Sequence, residues 1–225
     1  MAPLTLVIGN KNYSSWSLRA WIALKHLDLE FEEIVIQLDA ATTRAALARH
    51  SPSARVPVLR AGALCVWDSL AICEYAAELA GKGWPQAREA RAQARSVCAE
   101  MHAGFAALRN AWPMNARARN RHVALTPALE ADIARIDAIW SDCRRRFGGD
   151  GPWLFGDYSI ADAMYAPVVL RFNTYGARIS EPARLYMAGV LGDAALRQWM
   201  QAAHEEPWTI AADEVGENPL PPTPT

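Results

Sequence analysis

The chain has 225 residues, of which 52 % are hydrophobic and 21 % charged. This is an ordinary globular composition with enough apolar material for a real core, and it excludes intrinsic disorder for the bulk of the chain. A formal net charge of -1 argues against nucleic acid or a membrane surface as a partner held by the overall field.

In chain order, Leu4 to Ile8 is a short apolar run that reads as a buried strand. Ser14 to Ser17 then offers hydroxyls where a helix can start. Leu18, Trp21 and Ile22 fall within roughly 100° on a helical wheel, giving an amphipathic helix to about Leu27. Phe31 to Leu38, rich in Ile and Val, reads as a second strand, and Ala40 to Arg49 as a helix. Val56 to Leu59 and Ala63 to Trp67 are two short strands around a turn at Ala61-Gly62. Ser69 to Ala80 is a helix with Leu70, Cys73 and Ala77 inward. The first β-α-β requires a right-handed crossover, with the helix from Trp16 onwards on one sheet face.

Gly81-Lys82-Gly83-Trp84-Pro85 breaks the pattern, and the signals beyond it are helical. Val97, Met101, Phe105 and Leu108 form one apolar stripe at spacings of three and four, while Arg88, Arg91 and Arg95 lie together elsewhere on that helix. Ile133, Ile136 and Trp140 mark another helix, and Gly148 to Pro152 a loop. Ser159 followed by Asp162 is a capping-box variant, and Pro167 is expected to kink or shift the helix that follows. A last helix spans roughly Asp193 to His204. The expected organisation is α+β in two domains. Residues 1–80 (βαβαββα) are followed by a linker at 81–85, an all-α region at 86–212, and a proline-rich tail at 213–225 expected to be disordered.

No run of about eighteen apolar residues occurs, and Met1 to Gly9 lacks the basic lead and cleavage site of a signal peptide. No membrane partner is expected, and the cytoplasm is the expected location. Cys65, Cys73, Cys98 and Cys143 form no C-x-x-C pair, which fits free thiols in a reducing compartment. The five histidines show no metal-ligand spacing, so no metal site is expected.

The informative stretch is Tyr13-Ser14-Ser15-Trp16-Ser17-Leu18-Arg19, where a strand hands over to a helix. The first N–H groups of a helix lack internal partners and carry partial positive charge. A thiol of pKa about 8.5 falls to between roughly 3.5 and 7.5 in such a place, and a serine hydroxyl pointed at sulfur favours the charged form further. Thioredoxin-like folds carry a cysteine at this helix start. None lies between Met1 and Leu64, so a bound thiol cofactor is the sharper idea. The competing reading is that Ser14 or Ser15 is only an N-cap.

Two further features bear on this. Arg55-Val56-Pro57-Val58 puts proline at a strand start, which suits either an ordinary edge position or a cis bond turning the Val56 N–H and C=O towards a peptide-like ligand. Asp68-Ser69 lies directly before a helix. It reads as an N-cap, or as a holder for an amino-acid head group, with the amine on Asp68 and the carboxylate on Ser69.

Taken together, Ser14-Ser15-Trp16-Ser17-Leu18-Arg19, Val56-Pro57, Asp68-Ser69-Leu70-Ala71-Ile72-Cys73-Glu74-Tyr75 and Gly156-Asp157-Tyr158-Ser159-Ile160-Ala161-Asp162 resemble the cytosolic glutathione transferases, nearest to serine-type classes with a zeta-like N-terminal motif. The resemblance runs from about Leu4 to Ala212. It implies a thioredoxin-like first domain, an all-helical second domain, a homodimer and glutathione as cosubstrate. By position, Ser14 matches the activating serine, with Ser15 beside it, and Tyr13 is a rival partner for the sulfur. Val56 matches the residue pairing with the cysteinyl unit, Pro57 the cis-proline, Asp68 and Ser69 the γ-glutamyl anchor, and Arg55 a position meeting the glycyl carboxylate. The zeta class has Ser-Ser-Cys where this chain has Ser14-Ser15-Trp16, a departure that bears on zeta-type isomerase activity.

The implied reaction is attack by the glutathione thiolate on a hydrophobic electrophile, in the manner of a detoxification enzyme. Tyr13, Trp16, Phe105, Trp112 and Met114 are candidates for the acceptor pocket, against plain core packing. Isomerisation, dehalogenation or peroxide reduction in the same pocket, and a non-catalytic binding protein of the same fold, stand as alternatives. The Arg117-Ala118-Arg119-Asn120-Arg121-His122 run reads as a solvated loop, with a small role towards acidic acceptors as its alternative.

Overall fold

In the computed structural model, which describes residues 3–217, strand β1 (Leu4–Gly9) is central. It is followed by α1 (Ser15–His26), β2 (Phe31–Ile36), α2 (Thr43–Ala48), β3 (Val58–Ala61), β4 (Leu64–Val66) and α3 (Ser69–Ala80). The sheet order is β2-β1-β3-β4, with β1 parallel to β2, antiparallel to β3, and β3 antiparallel to β4. The alternation of a strand divides the core in two. Leu4, Leu6, Ile8 and Leu59 pack into the large cluster with α1 and α3. Val7, Val58 and Ile36 face the other way and are covered by Leu47 of α2. This is a thioredoxin-like domain, followed by a helical one.

The second domain comprises α4 (Arg88–Ala103), α5 (Ala106–Ala111), α6 (Pro127–Phe147), α7 (Ile160–Tyr175), α8 (Glu181–Gly192) and α9 (Ala194–Glu205), then a short 3₁₀ turn at Ala211–Asp213. Helix α7 is buried on nearly every side, as a central helix apolar all round must be, and it packs against α1 and α4. It runs through Pro167 without interruption. Its start is the expected capping box. Asp162 Oδ2 accepts from the Ser159 N–H at 2.9 Å and its hydroxyl at 3.0 Å, while Oδ1 accepts from the Leu154 N–H at 3.0 Å. Burial outweighs those donors and pushes the Asp162 carboxyl up to about 6.

Several expectations are corrected. The stripe from Val97 to Leu108 does not lie on one helix: α4 ends at Ala103, and Phe105 takes φ 62 before α5 begins. At Gly104 a Cβ would meet the Glu100 carbonyl oxygen at 2.8 Å, so the chain departs there from the helical line. Leu70 is only half-buried, and Ile72 and Ala76 join Cys73 and Ala77 on the inner face of α3. Within the expected tail, Asp213 to Glu217 are held to the body, with the Glu217 backbone bridging to His122. Residues 218–225 lie outside the described ones.

Candidate active site

The loop from Asn10 to Ser14 joins the end of β1 to α1. Ser14 occupies the N-cap of α1, yet its side chain makes no cap hydrogen bond. Its Oγ lies 2.7 Å from Ser17 Oγ, which in turn accepts from the Gly9 N–H at 3.0 Å. The N–H groups of Trp16 and Ser17 have no acceptor among the described residues. These are the unpaired first-turn donors that an anion would satisfy. Ser15 Oγ accepts from Arg171 Nη2 at 3.3 Å, so its own hydroxyl hydrogen remains to be donated. Tyr13, by contrast, is committed elsewhere. Its hydroxyl donates to Glu214 Oε1 at 2.7 Å and accepts from Arg117 Nη2 at 2.9 Å.

In front of this helix start lies a cleft of about 580 Å³, lined by Trp16, Ser53, Arg55, Val56, Pro57, Trp67 and Asp68. The Val56–Pro57 and Trp67–Asp68 peptide bonds are both cis. Val56 stands outside the β1–β3 ladder, which closes at Val7 and Val58, and neither its N–H nor its C=O is bonded to another described residue. Asp68 caps α3, accepting from the Ser69 N–H. Its carboxylate is still about half exposed, with the His102 imidazole at 3.7 Å. Ser69 Oγ is buried without a partner among the described residues.

The electrostatic setting is strongly positive. Arg19 is fully buried, and none of its three guanidinium nitrogens has a hydrogen-bond partner among the described residues. Burial first, then repulsion from Arg109 and Arg171, lowers it to about 9. Arg171 falls to about 9 for the same leading reason, with Arg109 next. Both therefore stay protonated at neutral pH. The guanidinium groups of Arg19 and Arg109 sit 4.5 and 4.8 Å from the Trp16 ring centroid, and His102 meets that ring edge-on at 5.3 Å. Two buried thiols are held neutral by the same burial: it pushes Cys73 up to about 12 despite the nearby Arg19, and Cys98 well above its ordinary value.

The structure thus gathers Trp16, Arg55, Val56, Pro57 and Asp68 around one cleft. Ser14 and Ser15, directly before Trp16, and Ser69, directly after Asp68, are buried and do not line it. Phe105, Trp112 and Met114 are not brought there. All three are buried, and Trp112 stacks on Tyr175 at the edge of a separate cleft. The helical domain contributes His102 and Arg109 instead. The segment from Arg117 is solvated only in part: Arg119, Asn120 and His122 are exposed, whereas Arg117 reaches Tyr13 and Arg121 pairs with Glu214 at 2.7 Å. Arg19 stood within the recognised motif, but Arg109 and Arg171 carry no local signal, because only the packing of the second domain brings them close.

The chain matches the family model for the glutathione S-transferase N-terminal domain over residues 13–79 and that for the C-terminal domain over residues 126–202, together more than half of its length. Among solved structures, a glutathione transferase homolog from Burkholderia with bound glutathione is 22 % identical with a TM-score of 0.69, covering 91 % of this chain and 100 % of that one. The holo structure of maleyl pyruvate isomerase, a bacterial glutathione S-transferase in the Zeta class, is 20 % identical at a TM-score of 0.69, covering 90 % of this chain and 98 % of the other. A Tau class glutathione S-transferase from mango, Mangifera indica, is 17 % identical at 0.68, with coverages of 90 % and 96 %. No curated protein sequence matches.

Proposed function

The chain belongs to the glutathione S-transferase family, and from that premise we propose that it is a serine-type glutathione transferase, holding the glutathione thiol as a thiolate and directing it at a hydrophobic electrophile. One observation carries this reading: the start of α1 combines unpaired N–H groups, a serine hydroxyl with its hydrogen to spare, and three nearby arginines. Each of these stabilises negative charge more than the neutral thiol.

In this reading Ser14 and Ser15 are the donors to sulfur. The Val56 N–H and C=O pair with the cysteinyl unit beside Pro57. The γ-glutamyl amine meets the exposed Asp68 carboxylate, and its carboxylate meets Ser69. Arg55, exposed on the cleft, suits the glycyl carboxylate. Trp16 forms the wall on the acceptor side. On binding, the thiol proton passes to solvent. The sulfur lone pair then forms the new C–S bond, and the leaving group departs with its electron pair. The rate gain comes from holding the two reactants together and from the ready thiolate.

The edge strand β4, with Leu64 about half exposed, supports a homodimer built on this edge. Four free cysteines fit a reducing, cytoplasmic setting. Among the described residues no helix is long and apolar enough to cross a membrane, and no cluster of metal-ligating side chains occurs.

The test is retention on immobilised glutathione followed by turnover of an aromatic halide. Retention with turnover supports the transferase. Retention without turnover on any electrophile, isomer or peroxide favours a binding protein of the same fold.

A further inference from the structure

Beyond α9 the chain turns back across the loop that leads into α1. Glu206 places both carboxylate oxygens on that loop: Oε1 accepts from the Lys11 N–H at 2.7 Å and Oε2 from the Asn12 N–H at 3.1 Å. Further on, Glu214 Oε1 accepts from the Tyr13 hydroxyl at 2.7 Å and from Asn115 Nδ2 at 2.8 Å, while its Oε2 takes Arg121. Arg117 joins the two ends. It donates to the Tyr13 hydroxyl and to the carbonyls of Glu206 and Trp208, at 2.8–2.9 Å.

Lys11, Asn12 and Tyr13 are each gripped from this segment, two of them through carboxylate hydrogen bonds to the backbone. Charge-assisted bonds of this kind are roughly twice as strong as neutral ones. The loop has no other route by which the end of β1 reaches the start of α1, so its position sets the position of Ser14 and of the N–H groups that follow. The opposite end of the cleft, at Arg55, Val56 and Asp68, is not touched by any of these contacts.

We infer that residues 206–217 form a strap whose Glu206 and Glu214 are positioning residues, holding Lys11–Tyr13 so that the Ser14 and Ser15 hydroxyls and the unpaired N–H groups of α1 stay aimed at the sulfur. This rests on the glutathione-thiolate reading of the same site. It separates two functions along the cleft. The strap governs the ionised sulfur and therefore turnover, while tripeptide affinity resides mainly at the other end.

Glu206→Gln and Glu214→Gln keep the shape and remove the charge. Two measurements are made on the full chain: amide hydrogen exchange over residues 10–17 without ligand, and steady-state kinetics with glutathione and an aromatic halide across pH. The expected result is faster exchange at 10–17 by about tenfold or more. With it, kcat at neutral pH falls about ten- to hundredfold, the pH midpoint of the rate moves upward, and KM for glutathione stays within about threefold. Unchanged exchange overturns the strap. Faster exchange with kcat and its pH midpoint unchanged overturns its part in the reaction. If the unaltered protein neither binds nor ionises glutathione, the glutathione reading fails alone, and the exchange measurement still decides the clamp. Should either variant fail to fold, Arg117→Lys, which keeps the charge but cannot span three acceptors, gives the same comparison.

Discussion

Arg19 is costly to the fold, being buried with no hydrogen-bond partner for its guanidinium among the described residues. A buried, unpaired guanidinium costs several kcal/mol of desolvation, whereas its stacking over Trp16 returns about 0.5–2 kcal/mol. The first effect is the larger. Arg19→Met is therefore expected to match or exceed the parent in stability by about 1–3 kcal/mol in urea unfolding, while the thiol of bound glutathione loses acidity. A variant that is less stable and equally active would contradict that assignment. Ser15 is the second residue at this scale. A hydrogen bond to a charged group contributes about 1.5–3 kcal/mol, so Ser15→Ala is expected to lower kcat about ten- to hundredfold with tripeptide binding largely kept. An unchanged rate in Ser15→Ala together with a large loss in Ser14→Ala would make Ser14 the chief donor. Tyr13→Phe leaves no donor missing at the sulfur in this geometry, since its hydroxyl already serves Glu214 and Arg117.

Among the elements, α7 carries a pH-dependent contribution. In the folded chain Asp162 holds its proton up to about 6, against about 3.8 when unfolded. The stability it supplies is complete below about pH 4 and is lost as the pH rises through about 6, an effect of a few kcal/mol. The Asp162→Asn variant is expected to lack this slope when unfolding is followed from pH 4 to 7; parallel curves for parent and variant would refute it. The elements also show what the sequence could and could not reveal. Helices α1, α3 and α9 announce themselves by local caps and periodicity, and α3 lies where those signals put it. Helix α8 escapes notice because only Ala183, Tyr186 and Val190 turn inward, while Pro182, Gly189 and an exposed Leu185 blur the pattern. The stripe from Val97 to Leu108 misleads because spacing alone does not register the break at Gly104. At the site, Val56, Pro57 and Asp68 stand together on the cleft and Ser14 at the N-cap of α1, positions that turn and cap signals in neighbouring residues already suggest. Arg109, Arg171 and the reach of Arg117 have no such signal, since each meets the helix start only through tertiary packing.

For the whole molecule, α1 is the shared element: it packs on α3 in its own domain and on α7 and α9 in the other. The proposed thiolate site therefore stands where both domains meet, with the first supplying hydroxyls and N–H groups and the second supplying Arg109 and Arg171. Assembly is expected to extend from the sheet edge at β4. Light scattering should give the mass of two copies, and Leu64→Glu should shift it towards one; a single-copy mass for the unaltered chain would exclude a homodimer. The most direct measurement concerns the sulfur. Glutathione bound to the protein is titrated by thiolate absorbance from acid to alkali beside free glutathione. The bound thiol is expected to ionise at least about one and a half pH units below the free value of about 8.5. Superimposable titrations of bound and free tripeptide would contradict the claim that this helix start holds a thiolate.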